Sequence, residues 1–433
     1  MTAEVVVMNP LGVALAADSA VTLGTEVDRK VYPSAEKLFQ LSNACPIGVL
    51  IYGNSNFVSV PWETIIKTYR AERRLACFGT VREYGEDFLT FLRTNRRLLP
   101  LTNQRQEILK LALAYFQETV DIVYENIRRV TKGGAKKLSE ADIRNLVQRV
   151  VDTVAKIVDE HKPIAGLPRN ARDRIRRICG RDIDKLKKSA FQNLPISPAA
   201  SRKLSSSALG LLVRNQFGPL MSGVVVAGFG TREYMPALVS LRLEGMIEGR
   251  PRYDVESREA IGLNNSGFVR SFAQGEMVYT FMEGIDPRLQ QLIEESTRQV
   301  FAGTVETILN EVRQGNPRLA KKVFGKLSPH LASLLDDLLK QWQARRRRSH
   351  WGPVMDVVSA LPKDELAAMA EAMVNLTKFK RRVSAGIETV GGPIDVAVVT
   401  KGDGFVWVKR KHYFDPSLNP RVLARFSKEI SHG

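Results

Sequence analysis

The sequence predicts an α+β protein in which strands near both ends of the chain form one sandwich domain that carries helical insertions. Short apolar runs bounded by turn residues occur before residue 60, between residues 220 and 271, and again after residue 390. The segments between them repeat apolar residues at the period of an amphipathic helix. With 433 residues, 44% of them hydrophobic, the chain can bury a large core.

The first strands are predicted in two pairs. Glu4–Met8 and Val13–Ala17 flank residues 9–12, Asn-Pro-Leu-Gly, which favour a tight turn. Lys37–Leu41 and Ile47–Tyr52 repeat this plan around a second polar turn. Two hairpins are therefore expected at the start of the chain.

The middle of the chain is predicted to be helical. A helix follows Gly53, and a second begins at Asn103, where Gln106 is placed for a capping box. Helical periodicity continues through the basic residues 121–214. The Pro- and Ser-rich segment Asn193–Ser207 is predicted to be a linker.

The second half of the chain returns to strands and closes with a hairpin. Apolar runs predict strands, and long amphipathic segments predict helices. The predicted strands are Ser222–Gly228, Ala237–Leu243, a strand around Ala260–Ser271, Ile394–Thr400 and Phe405–Arg410, and the predicted helices are 276–345 and 364–380.

These patterns divide the chain into five segments. We expect the first half of the sandwich, strands then two helices, in residues 1–120, followed by a basic helical insertion and linker in 121–215. Residues 216–286 supply further strands and the start of a third helix. A second helical insertion covers 287–362, and 363–433 form the final helix, the closing hairpin and a tail.

The formal net charge is +18, and the two insertions carry most of it. Residues 121–214 contain 21 Lys and Arg against 10 Asp and Glu, and Arg345–Arg348 stand between Trp342 and Trp351. Such segments can contact nucleic acid or another polyanion. Solvated helix faces have the same composition, so both interpretations stay open.

Several site types are excluded because their motifs are missing. The five histidines never stand four residues apart around a carboxylate, and the three cysteines lack zinc-ligand spacing, so no metal is expected. Neither glycine-rich phosphate-binding pattern is present, nor is the Gly-x-Ser-x-Gly elbow, and no cofactor is expected.

The cysteines and the first residues favour a cytoplasmic protein. Cys45, Cys77 and Cys179 have no Cys-x-x-Cys spacing, so reduced thiols and no disulfide framework are expected. Residues 1–4, Met-Thr-Ala-Glu, have no signal-peptide character. The longest apolar stretches are too short to span a bilayer, so no membrane partner is expected.

Thr2 is the candidate nucleophile. Removal of Met1 before so small a residue leaves a hydroxyl and a free α-amine on one residue at the start of a strand. A threonine hydroxyl needs a base to take its proton, and an α-amine with a pKa of about 7.7–8.0 suits that task at neutral pH. An ordinary second residue would look the same.

Three further stretches resemble proteasome β-type subunits. They are residues 12–22 (GVALAADSAVT), 37–41 with 47–53 (KLFQL and IGVLIYG), and 391–406 (GGPIDVAVVTKGDGFV). The resemblance covers about half of the chain, in the same order. It implies the four-layer αββα sandwich of N-terminal nucleophile (Ntn) hydrolases, with the two basic segments as insertions.

The resemblance also implies roles for individual residues. Thr2 would attack the substrate, Asp18 would pair with Lys37, and the Lys37 ammonium would favour deprotonation of the hydroxyl. The backbone N–H of Gly53 would form the oxyanion hole. By themselves, Asp18 could cap a turn, Lys37 could point to solvent and Gly53 could begin a helix.

Substrate contacts follow from the same resemblance. The backbone of Thr22 would pair with an extended substrate, and Val21, Ala35 and Ile51 would line a pocket for a small or apolar side chain. Gln274 stands where the family has a supporting serine. Glu388 lies one residue from the place of a supporting aspartate.

The expected function is therefore a threonine peptidase that hydrolyses peptide or protein substrates. The family implies a homo-oligomer, with a ring as one form, and an unfoldase or activator as a further partner. A small-molecule amidase would use the same Thr2. A third interpretation is a catalytically degenerate scaffold whose basic insertions bind nucleic acid or an acidic protein.

Overall fold

The computed structural model describes residues 3–23, 30–131, 137–263, 265–384, 390–421 and 424. Two compact units are formed from interleaved parts of the chain. The first contains residues 1–34, 261–398 and 407–411, and the second contains 35–260, 399–406 and 412–433.

The secondary structure mixes strands and helices throughout. The strands are β1 (Glu4–Asn9), β2 (Gly12–Asp18), β3 (Val21–Leu23), β4 (Lys30–Tyr32), β5 (Leu38–Gln40), β6 (Ile47–Gly53), β7 (Asn56–Phe57), β8 (Val60–Pro61), β9 (Ser222–Gly228), β10 (Ala237–Ile247), β11 (Arg250–Ala260), β12 (Phe268–Ser271), β13 (Ile394–Thr400) and β14 (Gly404–Lys409). The helices are α1 (Trp62–Glu72), α2 (Val81–Thr94), α3 (Leu101–Val130), α4 (Glu140–Glu160), α5 (Ala171–Ala190), α6 (Pro198–Val213), α7 (Glu276–Glu283), α8 (Pro287–Gly315), α9 (Pro317–Arg346), α10 (Gly352–Ala360) and α11 (Lys363–Val383). A π-helical turn, Arg347–Trp351, joins α9 to α10.

A five-stranded sheet in the order β12-β1-β2-β13-β14 organises the first unit. β1 is antiparallel to both neighbours, with Val7 opposite Ala14 of β2 and Val269 of β12. These side chains belong to an apolar cluster that α7, α10 and α11 complete. All residues of β1 and β2 are buried, so the opposite face of these strands is covered as well.

The turn between β1 and β2 is anchored by a polar side chain. Asn9 Oδ1 accepts a hydrogen bond from Leu11 N at 2.9 Å, which closes the turn locally. Asn9 Nδ2 donates to the carbonyls of Val358 and Leu361 at 2.9 and 2.8 Å, at the end of α10. The fully buried amide therefore ties the hairpin to the helical layer.

A second five-stranded sheet, in the order β11-β10-β9-β6-β5, belongs to the second unit. Its neighbouring strands are antiparallel. One face packs against α1 and α2 through aromatic side chains, with Tyr69 edge-on to Phe88 and Phe91 at 5.1 and 5.3 Å. Val225 and Leu50, which point to the other face, are also fully buried.

Helices α3 to α6 enclose a separate apolar core, here called the helical bundle. Phe116, Val151, Ile183 and Leu204 are at most 1% exposed, and they come from all four helices. The bundle is held to the second sheet by Arg252 of β11, whose guanidinium donates to the carbonyls of Leu211 and Leu212 near the end of α6.

The strands that the sequence predicts agree closely with those observed. β9 and β13 have the predicted bounds, and β1 and β2 are longer by one and two residues. The prediction of a strand around 260–271 is wrong in part. Only β12 lies within that range, and the sequence did not predict β11. β11 alternates charged residues such as Arg250, Arg252 and Asp254 and therefore lacks an apolar run.

Two helix predictions are wrong. α3 begins at Leu101 after Pro100 without a side-chain cap, so Gln106 forms no capping box, and the preceding helix α2 was missed. The predicted linker 193–207 contains the start of α6: Ser197 accepts a hydrogen bond from Ala200 N at 3.0 Å, and Pro198 occupies the first turn. Ser197 and Pro198 therefore mark the start of a helix here, although the same residue types are common in linkers.

The expectation of three free thiols is also wrong. Cys45, in the β5–β6 turn, forms a disulfide with Cys77, which lies between α1 and α2, and their Cα atoms are 6.0 Å apart. Cys179 is a buried free thiol in α5, and burial raises its pKa. Spacing along the chain could not reveal a pair that are 32 residues apart.

Candidate active site

Asp18 is the most tightly held candidate residue. It ends β2 and is 1% exposed. Its Oδ1 accepts a hydrogen bond from Ala3 N at 3.0 Å, and its Oδ2 accepts from Ala20 N and Gly391 N at 3.2 and 2.9 Å. Three backbone donors from three parts of the first unit therefore converge on this carboxylate.

Ala3 is fixed on both sides by the same residue. Besides the contact to the carboxylate, Ala3 O accepts a hydrogen bond from Asp18 N at 3.1 Å, and Ala3 is fully buried. Thr2, its neighbour in the chain, lies outside the described residues, as does Glu388. The structure therefore fixes the attachment point of the candidate nucleophile.

The segment around Gly391 and Gly392 lies beside the end of β2. Ser19 N donates to Gly391 O at 3.2 Å, and Ser19 Oγ donates to Pro393 O at 2.6 Å. Gly392 has a φ of 76°, and a Cβ there would lie 2.9 Å from Pro33 O, so a side chain is disfavoured. Lys378 Nζ donates to Gly392 O at 2.9 Å and supports this backbone from α11.

Lys37 is a buried lysine directly before β5. It is 6% exposed, and a lysine is rarely buried so deeply unless its ammonium group is paired. Its carbonyl accepts a hydrogen bond from Ile51 N at 2.8 Å, so the lysine lies beside β6, two residues before Gly53. The second unit therefore brings Lys37, Ile51 and Gly53 together.

Gly53 ends β6 in a conformation that requires glycine. Its φ is 79°, and a Cβ would lie 2.5 Å from Met221 O. The next residue, Asn54, donates its backbone N–H to the same Met221 carbonyl at 3.0 Å. A side chain at position 53 would therefore disturb the β6–β9 edge.

Of the four expected substrate-binding residues, two lie on β3, one lies on β6, and one lies between β4 and β5. Val21 and Thr22 are in β3, where Thr22 pairs with Val31 of β4. Ala35 is half-buried, between β4 and β5. Ile51 is 4% exposed and belongs to the apolar cluster that α1 and α2 cover.

Gln274 has a fixed amide orientation. It is 8% exposed, and Arg381 Nε donates to its Oε1, so Nε2 is the remaining donor. Nε2 is buried and has no hydrogen-bond partner among the described residues. Arg381 also contacts Glu276 at 3.5 Å, which connects this amide to the start of α7.

Sequence reasoning missed several groups that contact the candidate residues. Ala3, Ala20 and Gly391 act through backbone N–H groups, which every residue except proline has, so no residue type could reveal them. Lys378 could have been noticed only as one lysine of a basic helix end.

The described ranges contain no group of three or more His, Cys, Asp or Glu residues that could hold a metal ion. Within the same ranges, no helix is both long enough and apolar enough to cross a membrane.

The similarities to known proteins described here are remote. No family model and no curated protein matches the chain. A solved structure of an Anbu (Gly-1) mutant from Hyphomicrobium sp. strain MC1 is 10% identical, with a TM-score of 0.28, over 99% of this chain and 97% of that one. A structure of Anbu from the same strain is 9% identical, with a TM-score of 0.28, over 98% of this chain and 97% of that one. Similarity at this level carries no argument about fold or function.

Proposed function

We propose that this protein is an Ntn hydrolase of the threonine peptidase type, in which removal of Met1 exposes Thr2 as the nucleophile. The observation that carries the proposal is the Asp18–Ala3 contact. Asp18 holds the residue bonded to Thr2 through two hydrogen bonds: its buried carboxylate accepts from Ala3 N at 3.0 Å, and its backbone N–H donates to Ala3 O at 3.1 Å. An N-terminal nucleophile needs such an anchor, because its position otherwise depends on a free chain end.

The proposed chemistry uses a small number of groups. The Thr2 hydroxyl attacks the substrate carbonyl while the Thr2 α-amine accepts its proton and later passes it to the leaving amine. Lys37 supplies positive charge near the developing alkoxide, and the Gly53 N–H stabilises the oxyanion. Water then hydrolyses the acyl-enzyme and restores Thr2. The deep burial of Lys37 and the glycine-only conformation of Gly53 support these roles.

The proposal includes the fold and assembly that the sequence predicts. A four-layer αββα sandwich is supported by the helices that cover one face of each sheet and by buried residues on the other face. The five-segment division of the chain, the homo-oligomer and an unfoldase or activator partner belong to the same proposal. Val21, Thr22, Ala35 and Ile51 would contact the substrate.

Kinetics on a peptide library test the proposal. We expect Thr2→Ala to lower kcat/KM by more than about 100-fold, and Thr2→Ser to keep measurable activity, because serine retains both reacting groups. Asp18→Asn and Lys37→Met should lower kcat more than they raise KM. Thr64→Ala is the matched control, since Thr64 is an exposed threonine on α1. Activity that survives Thr2→Ala would contradict the proposal.

The alternative of a small-molecule amidase predicts the same dependence on Thr2. The two hypotheses differ in the expected substrate. A peptidase should hydrolyse extended peptides faster than their short amide analogues, because the Thr22 backbone would pair with an extended chain. Comparison of kcat/KM for a peptide and its truncated amide separates them. A preference for the truncated amide would favour the amidase.

A second candidate function, a polyanion-binding scaffold, is favoured by a group of basic residues on α5. Arg176, Arg177, Arg181 and Lys188 are exposed, and none has an ion-pair partner within the part of the chain that the structure describes. Binding of this kind should weaken steeply as salt is raised. A titration with single-stranded RNA at several salt concentrations tests it, and the absence of a negative salt slope would exclude it.

A further inference from the structure

The junction between α9 and α10 contains two adjoining cavities in a strongly basic environment. The cavities measure about 310 and 340 Å³, and Arg346 and Glu283 line both of them. The junction includes the π-helical turn Arg347–Trp351, a type of irregularity that is frequent at functional sites. This region has no role in the proposed hydrolase.

Arg346 is the central side chain of this junction. Its side chain is 12% exposed, its Nη2 lies 2.7 Å from Glu283 Oε2, and its guanidinium carbon lies 5.7 Å from the centre of the Trp342 ring. Its Nε and Nη1 are buried and have no hydrogen-bond acceptor among the described residues. A buried donor without an acceptor is unfavourable, so a ligand that offers acceptors here would be favoured.

The charges around the cavities favour an anion. Arg345 and Arg347 are exposed and line one cavity each, and neither has an ion-pair partner in the ranges that the structure describes. Glu283 supplies the opposing charge, and Arg346 already pairs with it. Each cavity is therefore lined by two guanidinium groups and one carboxylate.

The backbone and the neighbouring ring give the site a defined wall. Gly284 ends α7 with a φ of 72°, and a Cβ there would lie 2.8 Å from His350 Nδ1, so the imidazole packs directly on this glycine. Ser349 lines the same cavity and offers a hydroxyl donor. The cavity is therefore bounded by the end of α7 on one side and the π-helical turn on the other.

We propose that this junction binds a phosphate group, either as inorganic phosphate or as the monoester of a small molecule. Guanidinium groups match tetrahedral oxyanions with two parallel N–H donors, and phosphate oxygens would satisfy the buried Arg346 donors after a small side-chain rotation. The volume of about 310 Å³ leaves room for a substituent beyond the phosphate. The site does not depend on the hydrolase activity.

Tryptophan fluorescence provides a direct readout. The chain has four tryptophans, and two of them, Trp342 and Trp351, line the cavities. Titration with sodium phosphate at constant ionic strength should change the emission in a saturable manner, while sodium chloride should not. The change should be lost in Trp342→Phe, because Trp342 lines the cavity of about 310 Å³. A parallel titration with glycerol 3-phosphate distinguishes a monoester site from one for free phosphate alone.

Matched charge variants distinguish phosphate binding at this junction from nonspecific electrostatic attraction to the basic surface. Arg345→Gln combined with Arg347→Gln should weaken phosphate binding by at least about tenfold. Arg318→Gln, an exposed arginine at the other end of α9, should change it by less than about twofold. Both sets keep the Arg346–Glu283 pair, so folding should be preserved. The proposal is overturned by a non-saturable response, by equal losses in both sets, or by an oligonucleotide that displaces phosphate with a steep salt dependence.

Discussion

The helical bundle α3–α6 and the hairpin of α8 and α9 have similar composition and helical periodicity but different packing. Both are long, basic and amphipathic in pattern. The bundle encloses its own core, in which Phe116 and Leu204 are fully buried. Among the described side chains of α8 and α9, only Leu309, Leu335 and Leu339 are buried apolar residues, while Val300 is 67% exposed. Helical periodicity therefore predicts a helix without predicting whether that helix completes a core.

The two regions also differ in the ion pairs that join their helices. In the bundle, ion pairs join different helices, with Lys203 to Asp152 of α4 at 2.5 Å and Arg105 to Asp182 of α5 at 2.6 Å. Between α8 and α9 the described pair is Arg298 to Asp336, at 3.2 Å. These pairs are largely exposed and each contributes little, so we expect buried apolar surface to determine the relative stability of the two regions.

The largest expected effect concerns Arg252, which holds the bundle to its sheet. Its side chain is 1% exposed and pairs with Glu244 at 2.8 Å, so Arg252→Ala leaves a buried carboxylate without its partner. We expect the free energy of unfolding to fall by about 3–5 kcal/mol. Urea denaturation followed by circular dichroism measures it.

The control for Arg252 lies on the same strand. Arg258 is exposed on β11, and Arg258→Ala should change stability by less than about 0.5 kcal/mol. Equal losses in the two variants would show that Arg252 does not act as a buried clamp.

A matched pair of leucines tests the core comparison itself. Leu204 of the bundle is fully buried and Leu338 of α9 is 50% exposed. Leu204→Ala should cost about 2–5 kcal/mol because it leaves a cavity, whereas Leu338→Ala should stay within about 0.5 kcal/mol. Thermal and urea unfolding measure both. A large loss for Leu338→Ala would mean that the hairpin is packed against another surface in solution.

The smallest expected effect is a dependence on pH at the start of α7. Burial alone raises the pKa of Glu276, but hydrogen bonds from Arg288 and Lys380 lower it below its ordinary value of 4.5. The stability that this carboxylate contributes is therefore present above about pH 4.5 and is lost as the pH falls through the lower folded-state pKa. Glu276→Gln should flatten the stability curve in that acidic range.

The control for Glu276 is an exposed glutamate of α8. Glu306→Gln removes the same charge outside this cluster and should leave the acid dependence unchanged. Unfolding free energies between pH 3 and pH 6 provide the comparison. Identical curves for Glu276→Gln and the unmodified protein would rule out the proposed contribution.

Much of the strand pattern could be predicted from the sequence, since β9 and β13 are continuous apolar runs that end at turn residues. β11 could not, because its charged residues are stabilised by partners on another strand, such as Glu244 of β10, and the sequence does not show that pairing. The start of α6 was missed because Ser197 and Pro198 favour both loops and helix starts.

The candidate site was predictable only in part. Asp18, Lys37 and Gly53 were named from the resemblance, and the burial of Asp18 and Lys37 and the φ of Gly53 are facts that only the structure adds. The backbone groups that hold Asp18 could not be found from residue types. Their positions depend on long-range folding, since Gly391 lies 373 residues further along the chain.

The central claim, that Thr2 is a free N-terminal nucleophile, is tested most directly by intact mass spectrometry. The purified protein is measured before and after reaction with a peptide epoxyketone, and the modified residue is mapped. We predict loss of Met1 and a single adduct on Thr2 that is absent from Thr2→Ala. Retention of Met1, or an adduct that persists in Thr2→Ala, would contradict it.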